Sequence, residues 1–262
     1  MESFILSFAD HFSKAKKNFL NSIEIAVVRT LNEKKLSKRL TAVSQQLLQN
    51  KVLADIGTDH AYLPCYAYLN GIIPSAIGTE INVGPYQSAR SLVKKLGLSD
   101  FIDIRFGDGL SVLRKCEAEQ IVIAGMGGAL ITKILEEGKA KLGCAERLIL
   151  QPNVAVEKVR RWLYENKWTI KEECILEEDD VIYEIVTADR GRDTRPFHKN
   201  DFLFGPYLLK KKSAVFRKKW AEELKKQQLI LSHLNQAERS AEVDERRIQV
   251  ESMIQRIKEA LQ

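Results

Sequence analysis

The stretch that decides the fold is VLADIGTDHAYLP, residues 52–64. Its apolar run ends on Asp55, the chain bends at Gly57, and Asp59 and His60 stand where a helix is expected to begin. An apolar strand that ends in a glycine turn before a helix is typical of nucleotide-binding α/β folds. Asp59 is unusual there, because a dinucleotide-binding turn has a glycine at this point so that the backbone can approach a pyrophosphate.

Short apolar runs alternate with amphipathic stretches from residue 51 to about residue 191, which predicts a parallel sheet flanked by helices. The candidate strands are residues 52–55, 76–80, 102–106, 121–124 and 148–150. Candidate helices include residues 87–96 and 156–166. Two further runs, 170–176 and 181–188, flank the acidic segment 177–180 and predict an antiparallel hairpin. Five parallel strands and a hairpin favour the seven-stranded sheet of one large enzyme class over the six-stranded dinucleotide fold.

Length and composition limit the class of protein. The chain has 262 residues, of which 45% are hydrophobic, so one large domain with an appendage is expected. No apolar run approaches the roughly 18 residues of a membrane span, and no signal peptide is recognisable, so we expect a cytoplasmic protein without membrane contact. Four scattered cysteines without CxxC spacing predict incidental or buried thiols, with neither a disulfide framework nor a metal site.

The C-terminal part of the chain is basic and helical in pattern. Residues 206–235 contain eight Lys or Arg side chains and only two Glu, which indicates either a polyanionic partner such as nucleic acid or merely a solvated helix face. Apolar residues three or four apart predict two long helices after Pro206, hinged near residues 235–240 and packed antiparallel. The hairpin either presents basic residues to RNA or serves only oligomerisation or stability.

The sequence divides into three parts. Residues 1–30 form an N-terminal extension, in which Phe4, Phe8 and Phe12 fit one face of an amphipathic helix. Because a bacterial TTG codon encodes leucine or starts translation, we hypothesise that Leu31 is the true start and that the extension is an artefact of start-site choice. Residues 31–191 form the predicted catalytic domain, and residues 192–262 the basic helical hairpin.

The acids after the strands indicate the kind of cofactor. Asp59 would repel a phosphate, which argues against NAD, but it suits S-adenosylmethionine, whose ammonium and sulfonium groups are cationic. Glu80 ends the second strand, where an acid can accept both ribose hydroxyls, and Asp108 could accept the adenine amino group. Alternatively, these acids serve only as helix caps and the neighbouring glycines only form turns. The predicted cofactor-binding residues are Asp55, Gly57, Asp59, Glu80, Asp108, Gly109, Ala124, Gly125, Met126 and Gly127.

These motifs carry a family resemblance. LSKRL (36–40), DIGTDHAYLP (55–64), GDGL (107–110), AGMGG (124–128) and LILQPN (148–153) resemble the TrmK family of bacterial tRNA adenine-N1 methyltransferases. The resemblance covers the chain from about residue 31 to the C-terminus. It implies a class I, Rossmann-like methyltransferase fold, S-adenosylmethionine as methyl donor, and methylation of adenine 22 in the tRNA D arm.

The chemistry of that reaction suggests roles for particular residues. Adenine N1 has an in-plane lone pair and needs no deprotonation, so the main task is to position the reactants. Asp59 and His60 are catalytic candidates because a polar group near the ring would favour its developing positive charge, and Tyr62 could stack on an extruded base. Gln151 and Asn153 could read the adenine edge through paired amide hydrogen bonds.

The basic residues are expected to bind the tRNA backbone. Phosphate contacts supply affinity without base specificity, and the candidates for them are Arg39, Lys211, Arg217, Lys218 and Lys219. We expect a monomer with no obligate protein partner. The alternatives are a methyltransferase for a small molecule or protein, a nicotinamide-dependent oxidoreductase, which Asp59 and the hairpin disfavour, and a non-catalytic RNA-binding protein.

Overall fold

The computed structural model of the chain describes residues 36–191, 196–238 and 240–262. The N-terminal extension, with its predicted amphipathic helix and the proposed start at Leu31, lies outside the described residues. None of the helices within the described ranges is both long and apolar enough to cross a membrane.

Seven strands form one mixed sheet, in the order β3-β2-β1-β4-β5-β7-β6. The strands are β1 Leu53–Ile56, β2 Ala76–Glu80, β3 Ile102–Phe106, β4 Gln120–Met126, β5 Arg147–Pro152, β6 Trp168–Glu178 and β7 Val181–Arg190. Strands β1 to β5 pair in parallel, whereas β7 runs antiparallel to both β5 and β6. The predicted α/β class, with five parallel strands and a terminal hairpin, is confirmed.

Helices cover the sheet and extend beyond it. They are α1 Lys38–Ser44, α2 Tyr62–Leu69, α3 Val83–Lys95, α4 Gly128–Glu137, α5 Val156–Glu165, α6 Lys199–Phe204, α7 Pro206–Lys211, α8 Ala214–Gln236 and α9 Ala241–Leu261, with a 3₁₀ helix at Lys139–Cys144. Two apolar clusters, one on each face of the sheet, form the core. A third, smaller cluster around Phe204, Phe216 and Trp220 joins the C-terminal helices.

Strand β1 lies at the centre of the sheet, between β2 and β4. All four of its residues are buried, which explains the continuous apolar run, since a parallel strand covered on both faces does not alternate. The chain leaves β1 for β2 and β3 on one side and crosses to β4 on the other. The crevice outside the carboxyl ends of β1 and β4 is therefore the topological switch point, where open α/β sheets bind ligands.

Several predicted boundaries were too narrow. Strand β4 continues through a bulge to Met126 and β5 continues to Pro152, so parts of two predicted loops belong to the sheet. The hairpin turn consists of Asp179 and Asp180 alone, both at positive φ. Helix α3 begins at Val83, four residues before the predicted start, because a proline in the first helical turn removes no intrahelical hydrogen bond.

The C-terminal region begins with a helix that the pattern did not predict. Lys212 adopts a left-handed conformation at φ 42° and ends α7, and the Ser213 hydroxyl then accepts a hydrogen bond from the Phe216 N–H at the start of α8. The two long helices α8 and α9 are confirmed. They run antiparallel, since Arg217 near the start of α8 donates to the carbonyl of Leu261 at the end of α9.

The prediction that the cysteines are unbridged was wrong for two of them. Cys116 and Cys144 form a disulfide although 28 positions separate them. The bond joins the β3–β4 connection to the end of the 3₁₀ helix, a proximity that spacing along the chain does not reveal. Cys65 and Cys174 are free thiols, and Cys65 is buried.

Candidate active site

A cavity of about 630 Å³ opens at the switch point of the sheet. Its walls come from the segments that follow β1, β2, β3 and β4, together with α1. The predicted residues that line it are Arg39, Asp55, Gly57, Asp59, His60, Tyr62, Glu80, Asp108, Gly109, Ala124, Gly125 and Met126. Residues far apart in the sequence thus meet at one place, as the parallel topology requires.

The turn after β1 is shaped by backbone hydrogen bonds and left-handed residues. The N–H groups of Gly57 and Thr58 both donate to the Thr79 carbonyl, at 2.9 Å each. Asp59 and Ala61 have φ of 53° and 57°, so α2 begins only at Tyr62. Gly57 is at φ 71°, and a Cβ there would stand 2.3 Å from the Met126 Cε atom. Glycine therefore lets the turn pack directly against the end of β4.

Glu80 is the most firmly held acid of the cavity. It is 6% exposed, and its Oε1 accepts hydrogen bonds from the N–H groups of Ile81 and Asn82, at 3.0 and 2.9 Å. Its Oε2 accepts a longer bond of 3.3 Å from the Asp59 N–H, which ties the ends of β1 and β2 together. The carboxylate is therefore preorganised to accept further hydrogen bonds from a ligand.

Asp55 is a buried acid under the floor of the same cavity. Burial raises its pKa to about 6, because the charged form loses solvation, while a hydrogen bond from the Thr58 hydroxyl at 2.6 Å acts in the opposite direction. The neighbouring carboxylates of Asp59 and Glu80 also raise the pKa of Asp55. A cation bound in the cavity would favour the ionised form of this group.

The residues of the cavity fit a cationic ligand that carries no phosphate. Four carboxylates line it, those of Asp55, Asp59, Glu80 and Asp108, against the single permanent cation of Arg39. The hydroxyl of Thr79 is buried and has no hydrogen-bond partner among the described residues, although this residue also lines the cavity. Because a buried polar group without a partner is costly, this hydroxyl is available to a ligand. The carboxylates and the Thr79 hydroxyl match the ammonium, sulfonium and hydroxyl groups of S-adenosylmethionine.

The three catalytic candidates lie together at the rim. The Nε2 atom of His60 is 3.5 Å from Asp59 Oδ1, and the rings of His60 and Tyr62 have centroids 5.5 Å apart. The side chains of Asp59 and His60 are 67% and 44% exposed. They are therefore open to a large substrate, which a buried pair would not be.

Gln151 and Asn153 form a brace behind the cavity. The Gln151 Oε1 atom accepts from Arg39 Nη1 at 2.6 Å and from the Gly125 N–H at 3.0 Å, and its amide nitrogen donates to Asn153 Oδ1 at 3.1 Å. Asn153 in turn donates to the Gly125 carbonyl at 2.8 Å. Since Gln151 is fully buried, the predicted pairing of its amide with adenine is not available in this arrangement. Both residues instead fix the loop at Gly125.

The remaining predicted residues lie outside the cavity. Gly127 follows β4 next to Val154, and Lys211 is exposed at the end of α7. Lys218 pairs with Glu177, and Lys219 pairs with the buried Glu184. Lys219 thus has a structural partner within the fold, which its position in a run of basic residues did not indicate.

Sequence reasoning missed several residues of the site. Thr58, Thr79 and Asn82 flank predicted acids, so their closeness to the cavity follows once the strand ends are known. Glu178 and Tyr183, from the β6–β7 hairpin, contact the segment that carries Arg39. No local signal marks these two, because their contacts join residues about 140 positions apart.

The fold and the acid-lined cavity define a class I, Rossmann-like methyltransferase. The sequence profile of the TrmK family, tRNA (adenine(22)-N(1))-methyltransferase, matches residues 53–259. The tRNA (adenine(22)-N(1))-methyltransferase of Bacillus subtilis strain 168 is 49% identical over 211 residues, which are 79% of this chain and 89% of that protein. The chain therefore belongs to the TrmK family.

Two crystal structures extend the comparison to three dimensions. The B. subtilis M1A22 tRNA methyltransferase TrmK superposes with a TM-score of 0.83 at 44% identity, over 87% of this chain and 99% of that one. A Streptococcus pneumoniae protein in complex with S-adenosyl-L-methionine gives a TM-score of 0.79 at 41% identity, over 87% of this chain and all of that one. The fold derived above is thus shared with close relatives over most of its length.

Proposed function

We propose that this chain transfers a methyl group from S-adenosylmethionine to N1 of adenine 22 in the D arm of tRNA. The observation that carries the proposal is the cavity at the switch point, which is rich in carboxylates, in a chain that belongs to this family. The protein acts as a monomer in the cytoplasm and needs no obligate protein partner.

The reaction is a displacement at the methyl carbon. The lone pair of adenine N1 forms the new N–C bond, the C–S bond breaks, and its electron pair stays on sulfur. When bound, S-adenosylmethionine supplies the methyl group activated by the sulfonium charge. No proton has to leave N1 before the attack, so the protein contributes mainly by alignment and by electrostatic stabilisation.

The cavity residues divide into two groups by what they hold. Glu80 would accept hydrogen bonds from the ribose hydroxyls of the cofactor, and Asp108 would accept one from its adenine amino group. The ionised Asp55 and the turn at Gly57 would hold its cationic end. Asp59 and His60 lie at the rim, where they stabilise the positive charge that develops on the target ring. Tyr62 lies beside them and stacks on the extruded base.

The helices α7 and α8 provide the surface that grips tRNA. Lys210 and Lys211 are exposed and form no ion pair among the described residues, whereas Lys218 and Lys219 are already paired with carboxylates. The side chain of Arg217 is exposed, and within the described part of the chain it donates only to a backbone carbonyl. The strongest phosphate contacts of this arm are therefore assigned to Lys210, Lys211 and Arg217.

The test of the function is methyl transfer from labelled S-adenosylmethionine to unmodified tRNA, followed by nucleoside analysis. Transcripts with A or G at position 22 form a matched pair of substrates. We expect N1-methyladenosine only in the A22 transcript, and its loss in Asp59→Ala protein that still binds cofactor. Equal methylation of both transcripts would contradict the assigned site, and no transfer to any tRNA would contradict the assigned substrate.

The role of the arm is tested separately. Lys210→Glu with Lys211→Glu should weaken tRNA binding strongly and leave cofactor affinity unchanged. The control is Lys225→Glu with Lys226→Glu, which changes the net charge by the same amount at a position farther along α8. Unchanged tRNA affinity in the first variant would show that the helical pair serves only stability.

A further inference from the structure

The side chain of Arg39 contacts a neutral amide and an aromatic ring, and its charge also interacts with the carboxylate of Glu178. Its Nη1 donates to Gln151 Oε1 at 2.6 Å, and its guanidinium carbon lies 5.4 Å from the centroid of the Tyr183 ring. Nη1 is also 3.6 Å from the point where a Cβ on Gly125 would stand. The guanidinium is therefore fixed against the bulge at the end of β4, at the wall of the cavity.

The backbone that carries Arg39 is equally fixed. Glu178, at the end of β6, accepts hydrogen bonds from the N–H groups of Lys38 and Arg39, the latter at 3.2 Å. The Ser37 hydroxyl accepts from the Leu40 N–H at 3.1 Å and caps the same helix. The β6–β7 hairpin thus holds α1 at its N-terminus, where a carboxylate is electrostatically favourable.

Most of the hydrogen-bonding capacity of Arg39 is unused by the protein. A guanidinium has five N–H donors, and within the described ranges only one of them is engaged. The side chain forms no ion pair in the described part of the chain, whereas the buried Arg160 and the surface Arg105 and Arg147 are all paired with carboxylates. Arg39 is thus a fixed cation with free donors that faces the cavity.

The chemistry of the substrate narrows what those donors bind. A permanent cation against the target ring would oppose the reaction, because that ring becomes positively charged as N1 is methylated. A phosphodiester is anionic throughout the reaction, and its oxygens match the fork of a guanidinium. Resting on the proposed function, we propose that Arg39 binds the phosphate of the nucleotide that enters the cavity, with Gln151, Tyr183 and Glu178 as positioning residues.

The salt dependence of tRNA binding tests this assignment without any methyl transfer. Each phosphate contact contributes about 0.7–0.9 to the slope of log Kd against log salt concentration. Arg39→Gln should lower that slope by about this amount and weaken binding about 10-fold or more, while Arg39→Lys should restore the slope. Lys38→Gln removes the same charge from the adjacent residue, which is exposed and lies outside the cavity, so it should change the slope less.

Three results would overturn the assignment. An unchanged slope in Arg39→Gln with lower kcat would mean that Arg39 acts on the ring. Equal slopes in Arg39→Gln and Lys38→Gln would mean that Arg39 contributes only to the general positive potential of the surface and makes no direct phosphate contact. A slope in Arg39→Lys that stays as low as in Arg39→Gln would show that the positive charge at position 39 does not contact a phosphate. The A22 and G22 transcripts separate these outcomes from failure of the proposed function, because wild-type protein must first methylate the former.

A double-mutant cycle tests the positioning role of Tyr183. Tyr183→Leu should raise KM for tRNA by a few fold in the wild-type background and leave KM unchanged in the Arg39→Gln background. Additive effects in the two backgrounds would show that Tyr183 acts independently of Arg39.

Discussion

Two groups of carboxylates in this molecule have opposite surroundings. At the junction with the C-terminal helices, Glu173 and Glu184 are buried, and Arg160 bonds to both of them. In the cavity, Asp55, Asp59, Glu80 and Asp108 line one space with a single permanent cation, Arg39. The first group is neutralised by the protein's own side chains, whereas the four carboxylates of the second group outnumber the one permanent cation among the described residues that line the cavity. The first group stabilises the fold, whereas the second group is suited to bind a cationic ligand.

The junction contains more than ion pairs. Arg160 is fully buried and also donates to the carbonyls of Phe202 and Leu203, both at 3.1 Å. Glu173 accepts from the Tyr207 N–H at 2.9 Å. Gly205 is at φ 84°, and a Cβ there would stand 2.5 Å from Glu173 Oε1. The network thus fixes the path of the chain from the sheet into α7.

The largest effect is expected from breaking this network. Arg160→Met removes the guanidinium from the buried Glu173 and leaves Lys219 to pair with the buried Glu184, so it should lower the free energy of unfolding by about 3–5 kcal/mol. Lys158→Met, at an exposed position of the same helix, is the control. Chemical denaturation measures both, and a loss below about 1 kcal/mol in Arg160→Met would show that the network is not structural.

The next effect concerns the cavity. Both carboxylate oxygens of Glu80 accept hydrogen bonds from backbone N–H groups. In Glu80→Gln an amide nitrogen, which cannot accept such a bond, takes the place of one of these oxygens. We expect cofactor affinity to fall about 10- to 100-fold, since hydrogen bonds to a charged group contribute about 1.5–3 kcal/mol. Calorimetric titration with S-adenosylmethionine measures this, with the surface variant Glu137→Gln as control. Equal affinities would remove Glu80 from the cofactor site.

Asp55 gives a prediction in which stability depends on pH. Its folded-state pKa of about 6 lies above the ordinary value of 3.8 for an aspartate, so the folded protein binds this proton more tightly than the unfolded chain does. The ionised group therefore costs stability, and this cost develops as pH rises from about 4 to about 6. Asp55→Asn should raise the unfolding free energy by about 3 kcal/mol at pH 8 and by much less at pH 4.

Denaturation of the free protein at both pH values measures the effect of Asp55→Asn. A stability difference that is the same at pH 4 and pH 8 would contradict the raised pKa. In wild-type protein, cofactor binding at pH 5–6 should release a proton, because a cationic ligand favours ionised Asp55; calorimetry in buffers of different ionisation enthalpy detects that release.

The smallest effects distinguish two neighbouring lysines. Lys219 pairs with the buried Glu184, so Lys219→Gln should cost about 1 kcal/mol of stability. Lys218 pairs with Glu177 at the surface, and Lys218→Gln should cause no measurable change. Equal losses in the two variants, measured by thermal unfolding, would show that Glu184 does not depend on Lys219.

Much of the sheet could be predicted because its signals are local. The bounds of β2 and β3 match the predicted apolar runs, since each run is bordered by turn residues. The ends of β4 and β5 were missed because Gly125 and Pro152 usually mark loops, and here a bulge accommodates them within the pairing. The break between α7 and α8 was missed for a related reason, since Lys212 ends α7 without a glycine or proline.

The candidate site shows the same division. Asp55 and Glu80 lie near the carboxyl ends of β1 and β2, and Asp108 follows β3, so the parallel topology alone brings them to one edge of the sheet. The contacts of Arg39 with Gln151 and Tyr183 join α1 to β5 and β7, and no spacing in the sequence relates these three residues. Likewise, nothing local indicated that Lys219 has a buried partner.

The sequence by itself determined the layered α/β architecture, the place of the site and the sign of its charge. Periodicity and turn residues act over a few positions, and parallel strands must end on the same edge. Only the tertiary structure decided which charges are neutralised within the protein, that Gln151 is buried behind the cavity, and that Cys116 meets Cys144. Those outcomes depend on which distant side chains share a space of low dielectric, and hence on packing that no local pattern encodes.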